Sequence, residues 1–226
     1  MYLLIIGAPR SGTTLLASMI GVHPDVAMLI EDRWFSIKKL TGKKVLANKL
    51  CIPIQLELTK RATYFSRLMK KLGWYQNYTA SKFNIEDYLK LDGIKIISLI
   101  RDRSDVVNSI IKRGKKEKRI AEKRWNRAIE IMHELNTNYP EKTITISYED
   151  LVIQPENLLK KISDFIGIDF QPQMLEGYKH NILYPGETGI DKSRAFKSKA
   201  LNGSGLDEVS KSKHLYNRLM ELRTNP

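Results

Sequence analysis

The apolar positions of this chain fall into short unbroken runs that alternate with stretches of helical period. Residues 2–6, Tyr-Leu-Leu-Ile-Ile, have no polar break and are stopped by Gly7, which is how a strand buried on both faces reads. Beyond a turn of small residues, Leu15, Leu16, Met19 and Ile20 share one helical face, with Gly21 and Pro24 as stop signals. Residues 26–30 return as a second short strand, and residues 43–72 read as two basic amphipathic helices separated around Pro53. The strand, loop, helix unit recurs at residues 95–100, with Ser104 as N-cap of a helix bearing Val106, Val107, Ile110 and Ile111. Trp125, Ala128, Ile129, Met132 and Leu135 keep a helical period, and residues 143–147 form the next strand. Leu158, Leu159, Ile162, Phe165 and Ile166 then mark a helix that ends at Gly167. From Gly186 onward Gly, Ser and Lys become frequent and the period fades, predicting a loop that covers a site or is partly mobile. Strands alternating with helices predict an α/β fold, with a parallel central β-sheet flanked by helices. One domain over residues 1–226 is expected, because 226 residues at 42% hydrophobic content bury one substantial core and not two.

Charge adds what periodicity does not show. The net charge of +13 attracts polyanions: nucleic acid, acidic lipid, an acidic acceptor or a phosphate-rich cofactor. From Arg101 to Arg124, ten Lys or Arg stand against four acids (Asp102, Asp105, Glu117, Glu122), a local +6. A solvated helix face accounts for that run and no aromatic-interleaved platform accompanies it, so nucleic acid is not the expected partner. The single cysteine, Cys51, cannot form an internal disulfide, and the four histidines have no zinc-ligand spacing. No apolar run approaches the ~18–20 residues of a membrane span, and the opening run is too short for a signal peptide. A cytoplasmic, soluble chain is expected, although a lumenal domain cut from its targeting sequence would look the same.

Chemistry enters at Gly7-Ala8-Pro9-Arg10-Ser11-Gly12-Thr13-Thr14, between the first strand and the first helix. Successive backbone N–H groups at a helix N-terminus form an anion cradle, and the Ser11, Thr13 and Thr14 hydroxyls add donors. The two glycines have the separation of a Walker A loop, but Thr13 occupies the position of its lysine, and the positive charge comes from Arg10. Magnesium-dependent ATP cleavage is therefore disfavoured.

Residues 7–15, followed by His23-Pro24, resemble the 5'-phosphosulfate loop of sulfotransferases that use 3'-phosphoadenosine-5'-phosphosulfate (PAPS), the bacterial and tyrosylprotein-type members most closely. The resemblance covers residues 2–33 and 95–168. It implies a P-loop-like sulfotransferase fold, PAPS as donor and adenosine 3',5'-bisphosphate (PAP) as product, with no metal. Arg10, Ser11, Gly12, Thr13 and Thr14 would hold the 5'-phosphate and sulfonate, Arg10 also steadying transition-state charge. Residues 97–102, Ile-Ser-Leu-Ile-Arg-Asp, with Ser109 beyond them resemble the motif in which a strand-end arginine and a serine eight residues on share the 3'-phosphate. That assigns Arg101 and Ser109, against the alternative that Arg101 pairs with Asp105. Residues 143–151 and the following helix resemble family scaffold.

Glu31, with Arg33, resembles the Glu-x-Arg element of tyrosylprotein-type members. This implies Glu31 as general base and Arg33 as its substrate-binding partner, with Asp32 the rival base and a solvated surface pair the other reading. Lys82 resembles a family lysine that touches the bridging oxygen, and Lys192, Ser193 and Arg194 resemble a cofactor-contacting tail segment. The acceptor is a hydroxyl on a carbohydrate, a tyrosine or a small molecule, an acidic one included. A P-loop small-molecule kinase and a basic nucleic-acid- or polyanion-binding protein are the alternatives.

Overall fold

The first apolar run becomes the central strand of the protein. In the computed structural model, which describes residues 1–58, 83–180 and 208–223 and the side chains of the last segment from 212, β1 (Tyr2–Gly7) pairs in parallel with β3 (Val45–Cys51) on one side and β4 (Ile94–Ile100) on the other. β2 (Val26–Ile30) and β5 (Thr143–Ser147) complete a five-stranded sheet of order β2-β3-β1-β4-β5, with every neighbour parallel. The carboxyl ends of all strands share one edge. β1 is the strand from which the chain turns first to one side and later to the other, so its carboxyl end is the switch point where open α/β sheets bind ligands.

Helices cover both faces: α1 (Thr13–Gly21), a short α2 (Ile85–Leu89), α3 (Arg103–Gly114), α4 (Lys118–Asn138), α5 (Tyr148–Ile153), α6 (Pro155–Ile166) and α7 (Glu208–Leu222). Strand residues alternate between two cores as the pleat requires. Leu4, Ile6, Ile96 and Ile100 pack with Val106, Trp125, Ile129 and Leu219, while Leu3, Ile5, Ile97 and Leu99 pack with Leu16, Met19, Leu159 and Ile162. α6 stops at Gly167 as expected, the glycine at φ 67° and the Ile168 N–H returning to Ser163 O at 3.0 Å. No helix among the described residues is long and apolar enough to cross a membrane.

Three expectations are corrected. Residues 45–51, read as part of a basic amphipathic helix, form β3 between β1 and β2. Lys49 looked like the polar face of a helix, but it is 1% exposed and neutralised by Glu31. The cap of α3 is Asp102, whose Oδ1 accepts from the Ser104 and Asp105 N–H groups at 2.8 and 3.3 Å, and Ser104 lies inside the helix. The tail expected to be loop carries α7, which lies against α4 with Tyr216 and Trp125 ring centroids 5.5 Å apart. Arg223 beyond it donates to Ser147 Oγ at 3.0 Å.

Candidate active site

The carboxyl end of β1 turns into α1 through a tightly wound loop. Ser11 N–H donates to Ala8 O at 3.1 Å, and Arg10 and Gly12 take positive φ, 74° and 101°. A Cβ on Gly7 would stand 2.6 Å from Ser11 Oγ and 2.7 Å from Leu99 O, and one on Gly12 would overlap the Tyr148 ring, so both positions need glycine. α1 opens with no side-chain cap and no acidic residue in its first turn, which leaves its N–H groups and dipole to a ligand. Ser11 is 1% exposed, and its Oγ has no hydrogen-bond partner. An orphaned hydroxyl, an uncapped helix end and close-packed glycines together fit an anion of phosphate type.

Arg101 leaves the end of β4 beside this loop. Its Nη1 donates to Arg10 O at 3.3 Å, its Nη2 pairs with Asp105 Oδ2 at 3.2 Å, and its guanidinium lies 4.0 Å from the Tyr148 ring centroid. Its buried Nε has no partner. The Asp105 pairing, the alternative offered by the sequence, is thus present in the structure. Arg10 Nε donates to Ser109 Oγ at 3.1 Å, so the first anion motif and the second touch directly. Tyr148, read from sequence as scaffold, is the wall between them.

On the other side of β1 the sheet register creates a second cluster. Ile30 is opposite Lys49, the next residue is Glu31, and the Glu31 N–H donates to Lys49 O at 2.8 Å. Lys49 Nζ reaches Glu31 Oε1 at 2.8 Å and lies 3.6 Å from Cys51 Sγ, while the Gln55 amide donates to Glu31 Oε2. Burial pushes the Glu31 carboxyl up, but the Lys49 ammonium, the Gln55 amide and the Arg33 charge outweigh it and hold the group below its ordinary value. Burial pushes the Cys51 thiol up despite Lys49. Lys49 and Gln55 were missed by sequence reasoning. The available signal was the adjacent polar pair Asn48 and Lys49 inside a seven-residue segment, Val45–Cys51, whose other five residues are apolar.

Asp32 is occupied differently. Its carboxylate accepts from Ser36 N–H at 2.7 Å and from Ser36 Oγ at 3.1 Å, and its carbonyl accepts from Asn48 Nδ2 at 2.8 Å. His23 is buried, with Nδ1 accepting from the Asp25 N–H at 3.1 Å and Nε2 within 2.9 Å of Asp169 O, which assigns the Nε2–H tautomer and a structural place. Lys82, Lys192, Ser193 and Arg194 lie outside the described residues. Among the described residues no group of three or more His, Cys, Asp or Glu could hold a metal ion.

A parallel α/β sheet with a lysine-free loop at its switch point and an arginine at the neighbouring strand end is an arrangement with the chemistry to hold a ligand bearing two anionic groups. The chain belongs to the sulfotransferase family, whose model matches residues 3–84 and 88–172. It is 26% identical over 213 residues to protein-tyrosine sulfotransferase 1 of Danio rerio, covering 85% of this chain and 59% of that protein. The chain therefore spans little more than half of that relative. Among solved structures, a sulfotransferase domain from the curacin biosynthetic pathway aligns at TM-score 0.62 and 21% identity over 96% of each chain. A mouse sulfotransferase solved with PAP aligns at TM-score 0.53 and 15% identity, over 99% of this chain and 83% of that one. Both likenesses show the fold.

Proposed function

We propose that this protein transfers the sulfuryl group of PAPS to a phenolic hydroxyl, with Glu31 accepting the hydroxyl proton. The observation that carries the donor assignment is that Arg10 touches both Ser109, through its Nε, and Arg101, through its carbonyl, which brings the loop and the second motif into one site for a ligand with two separated phosphates. Ser11, Gly12, Thr13 and Thr14 would hold the 5' side and Arg101 and Ser109 the 3'-phosphate, and a sulfotransferase of the same fold solved with PAP supports PAP as the ligand. The donor supplies an activated sulfuryl group. The protein's residues supply position and charge: the S–O bond to the leaving phosphate breaks as one to the acceptor oxygen forms, and protein-fixed cations meet the charge. Lys49, whose ammonium stands beside the base at the edge where the donor loop begins, adds a cation to the Lys82 that the resemblance implies. Transfer is metal-independent in this reading, with Arg10, Lys82 and Lys49 meeting the charge that a divalent ion meets in phosphoryl transfer.

A phenolic acceptor suits the base. A phenol, with a pKa of about 10, is a stronger acid than an aliphatic alcohol and gives up its proton to a carboxylate more readily. The relative named for tyrosine sulfation supports the same class. Arg33, whose charge acts on Glu31, stands on the acceptor side.

Thermal-shift titration of the wild type and Arg101→Ala tests the donor site. PAP should stabilise the wild type by about 2.7 kcal/mol at a hundred times its Kd. Arg101→Ala should lose about tenfold or more in affinity for PAP and little for adenosine 5'-monophosphate. A larger shift with ATP and magnesium than with PAP would overturn the reading in favour of a kinase.

A further inference from the structure

The loop that follows the base is built to hold one side chain out of the protein. Trp34 is 73% exposed, the most exposed large hydrophobic residue among those described. Its neighbours are fixed. Glu31 and Phe35 both take left-handed backbone, φ 60° and 61°, a conformation that L-residues other than glycine rarely adopt and that clusters at ligand sites. Asp32 is tied to Ser36 by two hydrogen bonds and to Asn48 by its carbonyl. Phe35 stacks on Phe83 at 4.7 Å between centroids and meets Tyr88 edge-on at 4.7 Å, and Ile37 is fully buried. An indole left in water on a mobile loop would be unremarkable. One held out by a strained, hydrogen-bonded turn forgoes burial in a fixed position, which is how a binding surface is prepared in advance.

Resting on the sulfuryl-transfer reading, we propose that Trp34 is the acceptor-binding platform of this enzyme, on which the aromatic ring bearing the reacting hydroxyl packs. Position supports this. Trp34 is three positions beyond Glu31, so the two backbones lie at most about 10 Å apart. A hydroxyl within hydrogen-bonding distance of Glu31 places its own ring within reach of an indole standing on the same loop. Chemistry supports it as well, since an indole face holds an aromatic ring by offset or edge-on packing and gains less from a saturated ring of the same size. The neighbouring Arg33 and the Lys49–Glu31 pair act on the hydroxyl end, which leaves the ring to Trp34.

The test uses the full chain saturated with PAP and two probes: p-cresol, the phenol of a tyrosine side chain, and 4-methylcyclohexanol, its saturated counterpart. Trp34→Ala is expected to weaken p-cresol binding about tenfold while changing 4-methylcyclohexanol much less, with Trp34→Phe retaining most of the affinity. In transfer assays KM for p-cresol rises and kcat is kept. The wild type should show a change in indole emission on adding p-cresol that Trp34→Phe lacks, a signal that a purely structural tryptophan would not give. Equal affinities in wild type and Trp34→Ala, an equal loss for both probes, or no binding of p-cresol to the PAP-loaded wild type would each overturn the assignment. Failure of the wild type to bind PAP would instead overturn the sulfotransferase reading itself, so the two failures are told apart.

Discussion

The two ends of the site, on either side of β1, are made from different materials. At the anion end the groups come from one short turn and the strand beside it: backbone N–H groups, hydroxyls of residues 11–14, and Arg101 held by Asp105 and Tyr148. At the acceptor end the groups are long side chains from separate strands, and Glu31 and Lys49 meet only because the β2–β3 register places Ile30 opposite Lys49. A backbone cradle tolerates substitution of its side chains because the peptide groups remain. A buried ion pair does not, because removing either member leaves the other without its counter-charge. The acceptor end should therefore be the fragile one in both rate and stability.

The largest expected effect breaks the comparison at its chemical point. Glu31→Gln keeps size and hydrogen-bonding capacity but cannot accept a proton, so turnover with a phenolic acceptor should fall about 10²–10⁴-fold. PAP affinity, which belongs to the other end, should stay within about twofold in a binding titration. Full turnover in this variant would remove Glu31 as the base.

Lys49→Met comes next and sharpens the comparison through stability and pH. Breaking a buried pair from one side costs about 3–5 kcal/mol, and the 30% side-chain exposure of Glu31 puts this pair at the lower end. Denaturant unfolding measures it. The folded carboxyl lies below its ordinary value, so the unfolded chain binds more protons in acid. The pair's stabilisation is thus present above the unfolded pKa of about 4.3 and is lost as pH falls through the folded value. In Lys49→Met, burial is opposed only by Gln55 and Arg33, so Glu31 should protonate at higher pH and the acid limb of kcat/KM should move up. An unmoved limb together with unchanged stability would mean that the pair does not form in solution.

The same contrast governs what could be read before the structure. The turn between β1 and α1, α1 itself and the stop at Gly167 were legible because each depends on a few consecutive residues, as does the strand-end position of Arg101. β3 was not. Lys44, Asn48 and Lys49 make residues 43–51 look amphipathic, and only a partner 18 residues earlier explains how a lysine can sit inside a sheet. The misplaced cap of α3 has a smaller cause: Asp102 and Ser104 are both good capping residues, and local preference does not rank them. In α7 the apolar positions Leu215, Leu219 and Met220 are few and lie among polar residues, so its helical face emerges only against α4.

The smallest effect separates Glu31 from its neighbour. Asp32 was a rival base by sequence, yet its carboxylate is spent on the Ser36 N–H and hydroxyl, at 2.7 and 3.1 Å. Asp32→Ala should cost about 1–2 kcal/mol by losing those bonds, and Asp32→Asn less, since its amide oxygen can still accept from Ser36. Neither should approach the rate loss of Glu31→Gln, because Glu31 is anchored independently through its N–H to Lys49 O and through both carboxylate oxygens to Lys49 and Gln55. Steady-state kinetics beside thermal unfolding reads both quantities. If Asp32→Asn kept its stability and still lost turnover as Glu31→Gln does, the proton would go to Asp32, and the acceptor hydroxyl would have to bind on the Ser36 side of the loop.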